Sequence, residues 1–320
     1  MANTAATEAA TDPVTDKRVR SRMVRAICRY RWYYLMMVPG LLYFFIYHYL
    51  PMGGVIIAFK DYNLLKGVWG SPWAGLKHFE TIFTSPDIYR TIGNTLIISF
   101  YRIVFNMLPD LLLALMLNEI RVRWFKRTVQ TITYGPYFLS WVIVYALAFA
   151  FLAPGSGLVN TLITHLGGQS IDFLTTKEFF RSILISTDIW KNTGFGAVIY
   201  LATLATINPQ LYEAAVVDGA GRWRQLWHIT LPGIRNVFIL LLILRIGHIM
   251  DAGFEQVYIF LNSRVYETGD IIDTWVFRRG LENLEFSIAT AVGFFKGVVG
   301  LVLVIGANKL AKRFGGSGIW

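Results

Sequence analysis

Cysteine occurs once in this 320-residue chain, as Cys28, so no intrachain disulfide can form and no thiolate cluster can hold a metal. Charge is scarce too. Asp, Glu, Lys and Arg make up 16% of the residues against 55% hydrophobic, too little polar surface for a soluble domain of this length. A nucleotide-binding P-loop needs Gly-Lys followed by Ser or Thr, and the sequence has no Gly-Lys pair, so no ATPase site is expected. The segment LGGQS at residues 166–170 reads as a turn. The five histidines, His48, His78, His165, His228 and His248, fall in separate segments without metal-ligand spacing. No catalytic residue and no metal site is assigned, and the chain is read as a non-enzyme.

What the sequence has in quantity is apolar runs. Six of them, roughly residues 32–59, 92–117, 129–152, 183–206, 234–260 and 288–310, approach the ~20 residues that cross a ~30 Å hydrocarbon core. Runs such as FILLLILRIG do not alternate with period two, so helices are expected over a β-barrel: an all-α integral membrane fold with six spans. The first run is too long for a secretory signal and lacks a small-residue cleavage site, so it is expected to stay as a helix. With the N-terminus placed inside, seventeen Lys and Arg fall on inner segments, including residues 17–31 and 121–127, against nine on outer ones. Both termini are therefore expected in the cytoplasm. The net charge of +10 is assigned to topology and anionic lipid head groups, with no nucleic acid partner. Residues 1–31 are expected to be a disordered tail followed by a basic segment, residues 32–310 the transmembrane domain, and residues 311–320 a cytoplasmic tail.

Four basic residues, Arg102, Lys191, Arg245 and Lys296, lie inside those runs. A charge near the middle of a span costs about 2.5 to 3.5 kcal/mol on insertion scales, so each is expected to face protein or water. Arg102, Asn106 and Asp110 recur every four residues as one polar stripe, and Asp188, Lys191 and Asn192 share a face of the fourth run. Arg245, His248, Asp251 and Glu255 would sit within about 120° of arc on one unbroken helix. Either these groups line a path for a polar solute, with Tyr145, Trp190 or Phe254 stacking on it, or they pair internally. Arg102 with Asp110 through Asn106, and Arg245 with Asp251, are the pairs that spacing suggests. Asp110, Asp251 and Glu255 would also suit the relay of a stand-alone ion- or proton-coupled transporter or channel.

Between the fourth and fifth runs lies a polar stretch, EAAVVDGAGRWRQLWHITLP. Asn208 can cap and Pro209 can open a short helix, Gly219 and Gly221 end it, RWRQLWHI forms a second amphipathic piece, and Pro232 marks the start of the fifth span. Alone, this would be a helix lying on the bilayer surface. Its spacing, Glu213-Ala214-Ala215, then Gly219, Ile229 and Leu231-Pro232, resembles the EAA loop of binding-protein-dependent ABC importer permeases. VPGLLYFFIYHYLPMGGVIIAFKDYN, GFEQVYIFLNS, DTWVFRRGL and FFKGVVGLVLVIGANKLAKR extend the resemblance over most of residues 30–313, to polysaccharide and oligosaccharide permeases of the carbohydrate-uptake class. Within that class the chain is similar to permeases of alginate-type importers.

The resemblance implies the type I importer permease fold in a bacterial inner membrane. It makes residues 208–233 the loop that carries a cytoplasmic coupling helix, seated in a groove of an ATPase, with Glu213, Ala214, Ala215, Asp218, Gly219 and Arg222 at the contact. It further implies two partner ATPase subunits holding ATP and Mg²⁺, no cofactor in this chain, a second permease (a homologue or a copy) and an extracytoplasmic solute-binding protein. The cargo would be an oligosaccharide or polysaccharide passing Arg102, Asn106, Asp110, Lys191, Asn192, Arg245, His248, Asp251, Glu255 and Lys296. The intramembrane cations favour an acidic sugar, and the acidic residues on the same faces weigh against one.

Overall fold

A computed structural model describes residues 29–313; the expected tail, most of the basic segment before the first span, and residues 314–320 lie outside the described residues. Among the described residues the fold is helical, with one isolated bridge between Lys60 and Trp73 and no strand. The chain divides into two compact units between Ile56 and Ile57. The first holds helix α1 (Arg31–Phe59) except its last three residues, which belong to the second. A π turn at Phe45–Tyr49 sits just ahead of Pro51, which cannot donate the backbone bond that a regular turn needs there.

In the second unit the longer helices, in chain order, are α2 (Lys77–Thr84), α3 (Pro86–Glu119), α4 (Arg123–Phe138), α5 (Trp141–Leu152), α6 (Leu158–His165), α7 (Lys177–Leu204), α8 (Pro209–Val217), α9 (Arg222–Gly247), α10 (Phe254–Phe260), α11 (Ile272–Phe277) and α12 (Phe286–Arg313). Among the described residues α1, α3, α9 and α12 are each long and apolar enough to cross a membrane, and the bent pair α4 and α5 makes a fifth if it counts as one span. Phe105, Leu108, Leu112 and Met116 of α3 and Leu301, Val302 and Ile305 of α12 are exposed at helical spacing. Such apolar stripes fit lipid and not water.

Helix α7, the fourth expected span, is the central post. Phe180, Leu184, Asp188, Lys191, Gly194, Ala197, Tyr200 and Leu204 recur at three- and four-residue steps and are all buried, so its polar groups point into protein. It packs lengthwise on α3, and α9 packs on α12. Three apolar clusters surround the middle. One joins Ile98, Phe180, Leu184, Val257 and Phe260; a second joins Ala58, Ile82, Met250, Trp275 and Val292; a third joins Ala114, Ala197, Tyr200, Leu204 and Ile234. Where these clusters lie in lipid, close van der Waals packing holds the helices together, because the surrounding hydrocarbon is as apolar as the side chains they bury.

The structure departs from the expected spans at the fourth, since α7 is not among the helices apolar enough to cross a membrane by themselves, and at the third and fifth. The third run turns through 104° between α4 and α5, where Gly135–Phe138 tightens to a 3-10 turn at Pro136 and Ser140 caps the new helix by accepting from the Ile143 amide at 3.4 Å. The fifth run is not one helix. α9 stops at Gly247, residues 248–253 leave the helical path, and α10 begins after Gly253, whose φ of 79° lies in the left-handed region. Pro232, in contrast, does not start that span. A π turn at Leu226–Thr230 absorbs the missing donor, and the helix runs through from Arg222.

Candidate functional site

The polar stripe of α3 meets α7 and α9 between the apolar clusters. Arg102 lies 3.7 Å from Asp188 of α7 and donates to the amide oxygen of Gln256 on α10. Asn106 and Asn192 both donate to the Asp188 carboxylate, Asn192 at 2.8 Å. Asp110 accepts from Arg245 of α9 at 2.7 Å. The pairs that spacing suggested, Arg102 with Asp110 and Arg245 with Asp251, are therefore replaced by pairs between helices. Arg102 and Asp110 lie two turns apart on one helix and Asp251 lies beyond the end of α9, whereas a facing helix offers its charge head-on. The carboxylates of Asp110 and Asp188, 2% and 4% exposed, need those partners, because a lone buried charge is costly.

Beside these pairs lies an open polar cavity of about 220 Å³ lined by Ser99, Arg102, Asn106, Asp188, Asn192, Arg245, His248 and Asp251 among others. Ser99 Oγ, Arg102 Nε and Asn106 Oδ1 are buried there without a hydrogen-bond partner among the described residues. A wall with spare donors and acceptors and balanced charge can bind hydroxyl groups or water.

Lys191 and Glu255 lie apart from that wall, and Lys296 is tied to it through Asp251. Lys296 binds the carboxylates of both Asp251 and Asp273, the latter at 2.6 Å. Lys191 points to the bend of the third run, donating to the Tyr137 carbonyl at 2.6 Å with its ammonium over the rings of Tyr137 and Trp141 at 5.3 and 5.4 Å. Glu255 is exposed and does not line the cavity. The single arc expected for Arg245, His248, Asp251 and Glu255 does not exist, because the helix breaks between the first and the last of them. Of the three aromatics, Tyr145 packs edge-on against Phe260, Trp190 lines an apolar groove with α5, and Phe254 lines a separate pocket.

Sequence reasoning missed Ser99, Gln256 and Asp273. Gln256 is fully buried and also donates to the Leu184 carbonyl and to Thr187, both at 2.8 Å. A buried amide inside the apolar run GFEQVYIF was its available signal. Asp273 gave none, because α11 reads as an outer loop by hydropathy, yet its Ile272, Thr274 and Trp275 are buried.

The loop between α7 and α9 has its own geometry. Asn208 caps α8 by accepting from the Gln210 amide at 3.0 Å, and Gly219, with φ of 74°, turns the chain at its end. Glu213, Ala214, Asp218, Gly219 and Arg222 are exposed, Ala215 is half-buried, and Leu211, Val216 and Val217 present apolar surface. Arg222 comes within 4.0 Å of Glu119 at the end of α3. Tyr212 and Thr230 share a hydrogen bond at 3.0 Å, and Gln225 donates to the Ala220 carbonyl at 2.8 Å. α8 is thus tied to the first turns of α9, the helix that holds Arg245.

A family model described as binding-protein-dependent transport system inner membrane component matches residues 95–316. The chain is 47% identical over 304 residues to the polygalacturonan/rhamnogalacturonan transport system permease protein YteP of Bacillus subtilis (strain 168), covering 95% of each. It is also 47% identical over 295 residues to the protein LplB of the same organism, covering 92% of this chain and 93% of that one. A chain in the crystal structure of a bacterial alginate ABC transporter, in complex with an alginate pentasaccharide-bound periplasmic protein, superposes with a TM-score of 0.86 at 41% identity, over 93% of this chain and 100% of that one. The all-helical fold, the polar seam and these relatives together place the chain in the binding-protein-dependent transport system inner membrane component family, as an ABC permease.

Proposed function

We propose that this chain is the permease subunit of an ATP-driven importer of oligosaccharides or polysaccharides, acidic chains of the alginate kind among them. Six spans with both termini in the cytoplasm form its half of the path: α1, α3, the bent pair α4 and α5, α7, α9 with α10, and α12. The solute is handed over by an extracytoplasmic binding protein. α8 is the coupling helix, with Glu213, Ala214, Ala215, Asp218, Gly219 and Arg222 at the contact with one of two ATPase subunits that bind ATP and Mg²⁺. A second permease, homologous or identical, engages the other.

The observation that carries this reading is the exposed, capped helix Pro209–Val217, tied through Tyr212 and Thr230 to the helix bearing Arg245. Its motif matches the importer loop residue by residue, and the relatives transport polygalacturonan and alginate by their names. A stand-alone relay transporter is less well supported, since Asp110 and Asp251 are bound to Arg245 and Lys296 and not poised as free proton carriers.

The test is to purify the chain with its co-assembling subunits and measure ATPase stimulation by binding protein loaded with neutral or uronate oligosaccharides. Stimulation by a sugar is expected, and none by any sugar overturns the carbohydrate reading. In the same preparation Glu213→Ala and Gly219→Asp should assemble yet lose most stimulated activity; full activity would remove α8 from the coupling path.

A further inference from the structure

Lys296 connects residues from the linings of two cavities. On one side is the polar cavity of about 220 Å³, whose wall includes Asp251. On the other is a pocket of about 490 Å³ lined by Phe254, Phe277, Phe286, Thr290 and Asp273 among others, within the size range of small-molecule sites. The two share no lining residue, yet the Lys296 ammonium binds Asp251 from the first and Asp273 from the second. Three elements are joined at that one nitrogen: α12, α11 and the non-helical break 248–253.

We infer that Lys296 is a bolt between an outer aromatic chamber and an inner polar chamber, and that sugar hydroxyls release it by taking over Asp251.

The chemistry of each wall suits that division. In the outer pocket the rings of Phe254 and Phe277 lie 5.5 Å apart, and Tyr258 stacks beside Phe254 at 5.4 Å, giving apolar faces on which the C–H faces of a sugar ring can rest. Asp273 and Asp251 are acceptors for its hydroxyls, and a carboxylate is among the strongest acceptors a hydroxyl can find. Two carboxylates on one ammonium leave a net negative charge, so hydroxyl donors compete for Asp251 and a uronate carboxylate does not. The break is the movable partner. Its backbone is held by single-turn bonds such as Asp251 to the His248 carbonyl at 2.8 Å, and left-handed Gly253 separates it from α10. Phe254 follows Gly253 directly, so the residue that floors the outer chamber is joined to the segment that carries the bolt's inner partner. The sugar chemistry rests on the carbohydrate reading above; the bolt itself does not.

The experiment reads the bolt without sugar or ATP. A Cys28→Ser/Ser99→Cys chain, in the full assembly in intact cells, carries a single thiol in the inner chamber. Its reaction rate is measured with a cationic and with an anionic membrane-impermeant methanethiosulfonate added outside. Lys296→Met, which leaves two carboxylates facing each other, is expected to raise both rates at least about fivefold. Lys296→Met with Asp251→Asn, which relieves that repulsion, should also raise both, because no ammonium spans the cavities. Unchanged rates in both variants overturn the bolt, and so does a rise with the cationic reagent alone, which reports local charge and no opening. Since no sugar is present, failure here is separable from failure of the carbohydrate reading, which the stimulated ATPase measures.

Discussion

The charged side chains inside this bundle are held in pairs that cross from helix to helix. Asp110 is almost wholly buried and its closest partner is Arg245, itself about one-third exposed. Removing the partner of a buried charge costs about 3 to 5 kcal/mol, and the exposure of Arg245 places this pair near the lower bound. Arg245→Met should therefore lower the thermal midpoint of the detergent-solubilised protein by several degrees, while Arg245→Met with Asp110→Leu should regain much of it. A double variant no more stable than the single would show that the two charges are not coupled. Arg102 and Asp188 form the second pair, with Asn106, Asn192 and Gln256 completing the shell. That shell is why neither guanidinium lies loose in the cavity, while Ser99 Oγ, Arg102 Nε and Asn106 Oδ1 keep no hydrogen-bond partner among the described residues.

Helices in this protein bend and break where the backbone loses a donor or a hand. Pro51 and Pro232 each follow a π turn, so the helix swells by a residue and continues. Pro136 sits in a 3-10 turn and ends α4, and the chain leaves at 104°. That bend leaves the Tyr137 carbonyl for Lys191, a cation at the carbonyl end of a helix, flanked by two aromatic faces. Lys191→Met should cost about 1.5 to 3 kcal/mol, the worth of a charged hydrogen bond, read as a lower unfolding midpoint, with Lys191→Arg retaining part of it. A Met variant that melts like the wild type would assign the bend to Pro136 and Ser140 alone. The break in the fifth run depends on Gly253, where an added Cβ would fall 1.9 Å from Arg102 Nη1 in a conformation that already disfavours side chains.

Among the described residues the ion pairs outside the interior seam tie loops and helix ends, Arg222 with Glu119, Lys77 with Asp61 and Lys177 with Glu267 among them. Asp61 is held below the ordinary carboxylate range by its hydrogen bond to Lys77, and Glu267 by its hydrogen bond to Lys177 at 2.8 Å. Because both folded values are depressed, their contribution is present above the unfolded value, near 4, and is lost as pH falls through the lower folded values. Outer-loop proteolysis in spheroplasts should accordingly be constant from pH 7 to about 5 and rise only below about 4; a rise near pH 6 would assign the loosening to histidine. The sequence by itself determined that the chain is helical and membrane-spanning, where its polar loop lies and which family it belongs to, because hydropathy, charge sorting and motif spacing are properties of one segment at a time. Only the tertiary structure decided that Arg102 meets Asp188, Asp110 meets Arg245, and Lys296 joins Asp251 to Asp273. Periodicity says which way a residue faces on its own helix, but not which charge the neighbouring helix presents. The apolar run through 234–260 likewise hid its break, since hydropathy does not register a lost backbone hydrogen bond.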